Sequence, residues 1–167
     1  MYQIGVIGDS DDDERRNKIA EEVGRWIAKR GHILICGGRG GVMMAACKGA
    51  FEEGGITVGI LPSMLKEEAN PYCKIVIPTG MGYVRNGLNV LAMDGVIVIG
   101  GKAGTLSEIA YAWIYNKPIV AFSNIEGWSS KLAGQKIDYR RNDIIYPVKS
   151  PEEAVNKIIE LIEQHSR

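Results

Sequence analysis

Apolar positions along the chain follow two alternating rhythms. Short contiguous runs rich in Ile and Val occupy residues 2–7, 32–36, 56–60, 74–79, 95–99, 118–122 and 143–148, several of them closed by glycine. Runs of this length and composition predict strands buried on both faces. Between them the apolar residues recur at helical spacing. Ile19, Val23, Trp26 and Ile27 mark a first helix, an Ala-rich segment over 42–53 a second, residues 84–93 a third, and a fourth opens at Gly104. A last helix after Pro151 presents Val155, Ile158, Ile159 and Ile162 on one face. Strand and helix alternating in this way predict right-handed crossovers, hence a Rossmann-like, doubly wound α/β fold: a mainly parallel sheet with helices on both faces, as one domain over 1–167. Residues 127–142 fit neither rhythm and read as a surface excursion.

End signals refine the picture. Asp11, Asp12, Asp13 and Glu14 stand where the first helix dipole favours negative charge, Lys29 and Arg30 stand at its far end, and Gly31 suits a left-handed cap. The acids are therefore read as helix-start residues and no metal is expected. Ser150, Pro151 and Glu153 match an N-cap, a first-turn proline and a capping box.

The chain has 167 residues with 20 basic and 20 acidic side chains, so no net field draws it to nucleic acid or an anionic membrane, and any anion site must be built locally. No apolar run reaches the length of a membrane span. Cys36, Cys47 and Cys73 lack zinc-site spacing and read as reduced packing residues of a cytoplasmic protein.

The 21 glycines are the unusual feature. "ILICGGRGGVM" (33–43) and "VIVIGGKAGTL" (96–106) share one plan: a strand, Gly-Gly, a basic residue, a small residue, Gly, then a helix start. In a parallel sheet both turns lie at the carboxyl edge, where open α/β folds bind ligands. Bare backbone there lets N–H groups approach a phosphate at a helix N-terminus. Candidate contacts are Gly8 and Ser10 after the first strand, Gly37, Gly38, Gly40, Gly41, Val42 and Met43 at the second, and Gly100, Gly101, Lys102, Gly104 and Thr105 at the fifth. Neither turn has P-loop spacing, and the dinucleotide fingerprint is missing after the first strand. Spacing alone gives Glu108 two readings: capping-box partner of Thr105, or a carboxylate one helical turn from the phosphate.

These motifs resemble the Lonely Guy superfamily, long labelled possible lysine decarboxylases. Its PGGxGTxxE motif stands here as "IGGKAGTLSE" (99–108), its upstream GGxxGxM as residues 37–43, and its arginine as Arg85 in "YVRNGLNVLAMDG" (83–95). The resemblance implies a phosphoribohydrolase that cleaves the N-glycosidic bond of nucleoside 5'-monophosphates, with Arg85 and Glu108 as the catalytic pair and Arg85 also at the phosphate. Asn86 and Ile99, where the enzymes usually have Lys and Pro, look more like a neighbouring branch that includes a molybdenum-cofactor carrier. Either way the implied partner is a phosphorylated small molecule, nucleotide or pterin-like, on a homodimer or homotetramer. The helix carrying Tyr111, Trp113, Ile114 and Tyr115 is apolar around more than one face. A DNA-binding role, implied by a shared superfold with DNA-processing protein A, is disfavoured by the neutral charge. No lysine stands in a pyridoxal context, so decarboxylation is rejected and no cofactor is expected.

Overall fold

The computed structural model describes residues 1–165. Seven strands, β1 (Gln3–Gly8), β2 (Ile33–Cys36), β3 (Thr57–Leu61), β4 (Ile75–Pro78), β5 (Gly95–Ile99), β6 (Ile119–Phe122) and β7 (Tyr146–Val148), make one sheet. Their order is β4-β3-β2-β1-β5-β6-β7, and each neighbouring pair runs parallel. Five α-helices lie between strands, α1 (Glu14–Lys29), α2 (Val42–Glu52), α3 (Asn86–Leu91), α4 (Ala103–Ile114) and α5 (Trp128–Leu132), and α6 (Pro151–His165) follows β7.

The contiguous apolar runs follow from burial on two sides. In β5, Ile97 and Ile99 enter a core built with Val23, Ile27, Ala46 and Ile158 of α1, α2 and α6. Val96 and Val98 enter the opposite core with Ile109 and Trp113 of α4. Edge strand β4 lacks this cover, and its Ile75 and Ile77 are exposed. Two glycines outside the turns serve helix contact. A Cβ on Gly24 of α1 would lie 1.9 Å from the Ala46 carbonyl oxygen, and one on Gly49 of α2 would lie 1.9 Å from that of Glu21.

The helix ends largely follow their signals. Asp13 accepts from the Arg16 amide at 2.9 Å, and Gly31 takes φ 76°. Ser150 accepts from the Glu153 amide, but the Glu153 carboxylate reaches the Lys149 amide (2.6 Å), one residue before the expected partner.

Three expectations change. The helix expected over 84–93 divides into a 3₁₀ turn, Gly82–Arg85, and the short α3, a tightening that turns Arg85 inward. The last strand shrinks to β7 because Ile145 hydrogen-bonds with Gly134 and Gln135, and Asp143 pairs with Arg141. The supposed surface excursion contains α5 and two buried polar anchors, Ser129 and Arg141. Arg141 donates to the carbonyls of Ala112 and Lys117 and so closes the end of α4. On α4 itself Trp113 is buried, its Nε1 donating to Asp138 at 2.8 Å, while Ile114 and Tyr115 are exposed. Among the described residues no helix is long and apolar enough to cross a membrane.

Candidate functional site

Strand order reverses at β1, which has β2 on one side and β5 on the other. The crevice beyond the carboxyl ends of strands at such a point is the usual ligand position in open α/β sheets. A cavity of about 590 Å³ opens there, within the roughly 300–1,000 Å³ of small-molecule sites. Gly8 and Ser10 from the end of β1, Gly37 and Met43 from the first glycine turn, and Lys102, Gly104 and Thr105 from the second line it, together with Arg85 and Glu108.

The other candidate residues stand behind this wall and hold the turns together. Gly41 takes φ 62°, and a Cβ there would lie 2.3 Å from the Asp9 carbonyl oxygen, which accepts from the buried Val42 amide at 2.9 Å. Gly40 packs toward Ser10. The Gly38 amide donates to Cys36 Sγ, and its carbonyl accepts from Asn70 (2.8 Å). In the second turn the Gly100 amide donates to Ser129 Oγ and the Gly101 amide to Asp9 Oδ2, both at 2.8 Å. Those two amides are occupied from within. The free donor end is the first turn of α4: its earliest backbone bond runs from Leu106 to Lys102, and Ala103, Gly104 and Thr105 precede it on the cavity wall.

The capping box expected of Thr105 and Glu108 does not form. Helix α4 begins at Ala103, so Thr105 is its third residue, and its hydroxyl donates instead to the Gly8 carbonyl at 3.1 Å. Glu108 falls in the second turn, facing the cavity, where its carboxylate accepts from Asn89 Nδ2 at 3.1 Å. Burial pushes the Glu108 carboxyl up to about 7, against the opposing pull of the Asn89 hydrogen bond and of Arg85.

Arg85 is no surface charge: only 8% of it is exposed. Its Nε donates to the Ile60 carbonyl (2.9 Å), Nη2 to that of Gly37 (3.3 Å) and Nη1 to Asn86 Oδ1, so the guanidinium braces the end of β3 against the first glycine turn. Burial draws its pKa down from the ordinary arginine value, opposed by Glu108. Asn86 carries the brace onward through Nδ2 to Ser107 Oγ (2.9 Å) on α4. Lys102 pairs with Asp11 at the exposed rim, which raises the lysine's pKa and lowers the aspartate's. Arg39 and Tyr83, both exposed, complete the rim.

Sequence reasoning did not single out Asp9 as a site residue. It is 5% exposed, pairs with Arg16 Nε at 3.3 Å and holds the Gly101 amide, joining the first strand's turn to the second glycine turn. An acid directly after a strand-closing glycine, set just ahead of the acidic run 11–14, was the signal the sequence held.

A cavity at the reversal point, walled by glycine turns from β2 and β5, is the arrangement of a Rossmann-like protein of the Lonely Guy type. The chain belongs to the SLOG cluster4 family, whose pattern matches residues 1–155. It is 34% identical over 130 residues to a cytokinin riboside 5'-monophosphate phosphoribohydrolase of Mycobacterium tuberculosis, covering 69% of this chain and 70% of that one. Among solved structures it is similar to the molybdenum cofactor binding protein of Rippkaea orientalis, with 36% identity, TM-score 0.86 and coverage of 96% and 97% of the two chains. It is also similar to the molybdenum cofactor carrier protein of Chlamydomonas reinhardtii, with 31% identity, TM-score 0.84 and coverage of 98% and 99%.

Proposed function

We propose that the cavity binds a phosphorylated, nucleotide-like small molecule, with its phosphate on the first turn of α4 and its remainder extending toward Arg85 and Glu108. The observation that carries this reading is the start of α4, where Ala103, Gly104 and Thr105 line the cavity ahead of the helix's first backbone bond, beside Lys102. Unpaired N–H groups at the positive end of a helix dipole suit a phosphate. Relatives named for a riboside monophosphate and for the molybdenum cofactor support the same ligand class.

Gly104 offers a clean test, since a Cβ there would meet nothing within 4 Å. Gly104→Leu is expected to keep the thermal midpoint within a few degrees while lowering affinity for a nucleoside 5'-monophosphate by about tenfold or more, as about 1.4 kcal/mol of lost contact would. Unchanged affinity in calorimetry would place the phosphate elsewhere.

Hydrolysis of the N-glycosidic bond is the further reading, favoured by Glu108. A carboxyl that titrates near neutrality can orient or deprotonate water as positive charge develops on the sugar. Arg85, held beside the first glycine turn, adds a fixed positive charge near the leaving group. Purified protein incubated with a panel of nucleoside 5'-monophosphates and a phosphorylated pterin separates the readings. Binding with release of ribose 5-phosphate makes the protein an N-glycosidase, and binding without release makes it a carrier. Failure to bind any member of the panel overturns both. Exposed Ile114 and Tyr115 on α4, with Leu88 and Leu91 on α3, are the surface we assign to a homodimer or homotetramer contact.

A further inference from the structure

Cys36 closes β2, Cys47 lies within α2, and Cys73 comes two residues before β4. Far apart in sequence, they meet in space. Sγ of Cys36 and Sγ of Cys47 are 3.3 Å apart, those of Cys47 and Cys73 are 3.9 Å apart, and all three lie within 4.8 Å of one another. All are free; Cys36 and Cys47 are buried and Cys73 partly so. Packing alone does not call for three sulfurs meeting at one spot from a strand, a helix and the loop before β4.

The neighbourhood makes room for them. A Cβ on Gly59 of β3 would stand 2.7 Å from Cys73 Sγ and 2.9 Å from the Gly38 Cα, so bare backbone there admits both the sulfur and the first glycine turn. The Gly38 amide donates to Cys36 Sγ at 3.3 Å. Among the described residues no His, Asp or Glu joins the group.

Three sulfurs each about 2.3 Å from a shared ion stand on a triangle with edges of about 4 Å. The observed edges are 3.3 and 3.9 Å, with the third no longer than 4.8 Å, so closing on an ion asks the first pair to part by a few tenths of an ångström. Thiolate donors select soft ions, and structural zinc asks for a fourth ligand that this group lacks. We propose that Cys36, Cys47 and Cys73 form a three-sulfur site for a soft monovalent ion of the cuprous type, tying β2, α2 and the approach to β4 together beneath the first glycine turn. On binding, each sulfur exchanges its proton for a bond to the ion, and the protons leave to solvent. No change of oxidation state is involved.

The test uses the full reduced chain, titrated without oxygen with Cu(I) held by a chromophoric chelator. One ion per chain is expected to leave the chelator, with an ultraviolet thiolate-to-metal absorption, and Cys73, the partly exposed member of the three, should become resistant to a thiol reagent. X-ray absorption should count three sulfurs around the copper. Cys73→Ser, at the least buried of the three, is expected to keep the far-ultraviolet circular dichroism spectrum and lower Cu(I) affinity by more than about 100-fold. Copper that stays on the chelator, Cys73 labelled equally fast with and without it, or affinity unchanged in Cys73→Ser each overturns the site. None of these readouts depends on what the main cavity binds.

Discussion

Glu108→Gln is expected to stabilise the fold above neutral pH while lowering ribose 5-phosphate release, where release occurs, by about 10²–10⁴-fold, the range of a lost general acid or base. The stability sign follows from linkage. The carboxyl is raised from an ordinary value of 4.5 to about 7 in the fold. Between those values the folded chain holds a proton that the unfolded chain has released, so this group's contribution to stability falls as pH rises through the window and levels off above it. A shift of that size corresponds to at most about 3 kcal/mol. Glutamine has no proton to lose, so urea denaturation should show a gain of about 1–3 kcal/mol at pH 8 and little change at pH 4. An equal effect at both pH values would show that the native carboxyl is not raised. Binding of the intact monophosphate should survive the substitution, because Glu108 stands beyond the turn assigned to the phosphate.

Asp9→Ala is expected to destabilise the fold by about 2–4 kcal/mol. Its carboxylate is buried, accepts from the Gly101 amide at 2.8 Å and pairs with Arg16 at 3.3 Å. Alanine leaves the buried Gly101 N–H without its acceptor, which costs the desolvation of that group, and takes the charge partner from Arg16, a smaller loss because that side chain is 21% exposed. Asp9→Asn retains an oxygen for Gly101 and should lose less. The bond from the Val42 amide to the Asp9 carbonyl belongs to the main chain and survives both changes. The loss should therefore appear at the second glycine turn, as faster amide exchange at Gly101. A fall in urea midpoint no larger for alanine than for asparagine would deny the carboxylate this part.

The parallel sheet was readable because central strands covered on both faces leave continuous Ile and Val runs, and glycines punctuate their ends. Much of the site was readable for the same reason: the two turns repeat one pattern at one edge of the sheet. What escaped depended on distance. The role of Asp9 exists only because residue 101 comes to it, and three cysteines on β2, on α2 and before β4 carry no local spacing to notice. The capping box at Thr105 was locally plausible but failed because α4 begins two residues earlier, at Ala103. The burial of Arg85 required the 3₁₀ turn that it ends, and four residues are too few to leave a periodic trace.

Both glycine turns are held by main chain and side chain together. Main-chain N–H groups of Trp128 and Ser129 grip the carbonyls of Gly101 and Gly100, and that of Asn70 grips the Gly38 carbonyl. Side chains add Ser129 and Asp9 at the amides of Gly100 and Gly101, and Arg85 and Asn70 at the carbonyls of Gly37 and Arg39. Each turn therefore has one holder that also faces the cavity, Asp9 for one and Arg85 for the other, so reshaping the pocket at either residue loosens the turn behind it; a change of guest is cheapest at Arg39 and Tyr83, rim residues whose side chains hold neither turn.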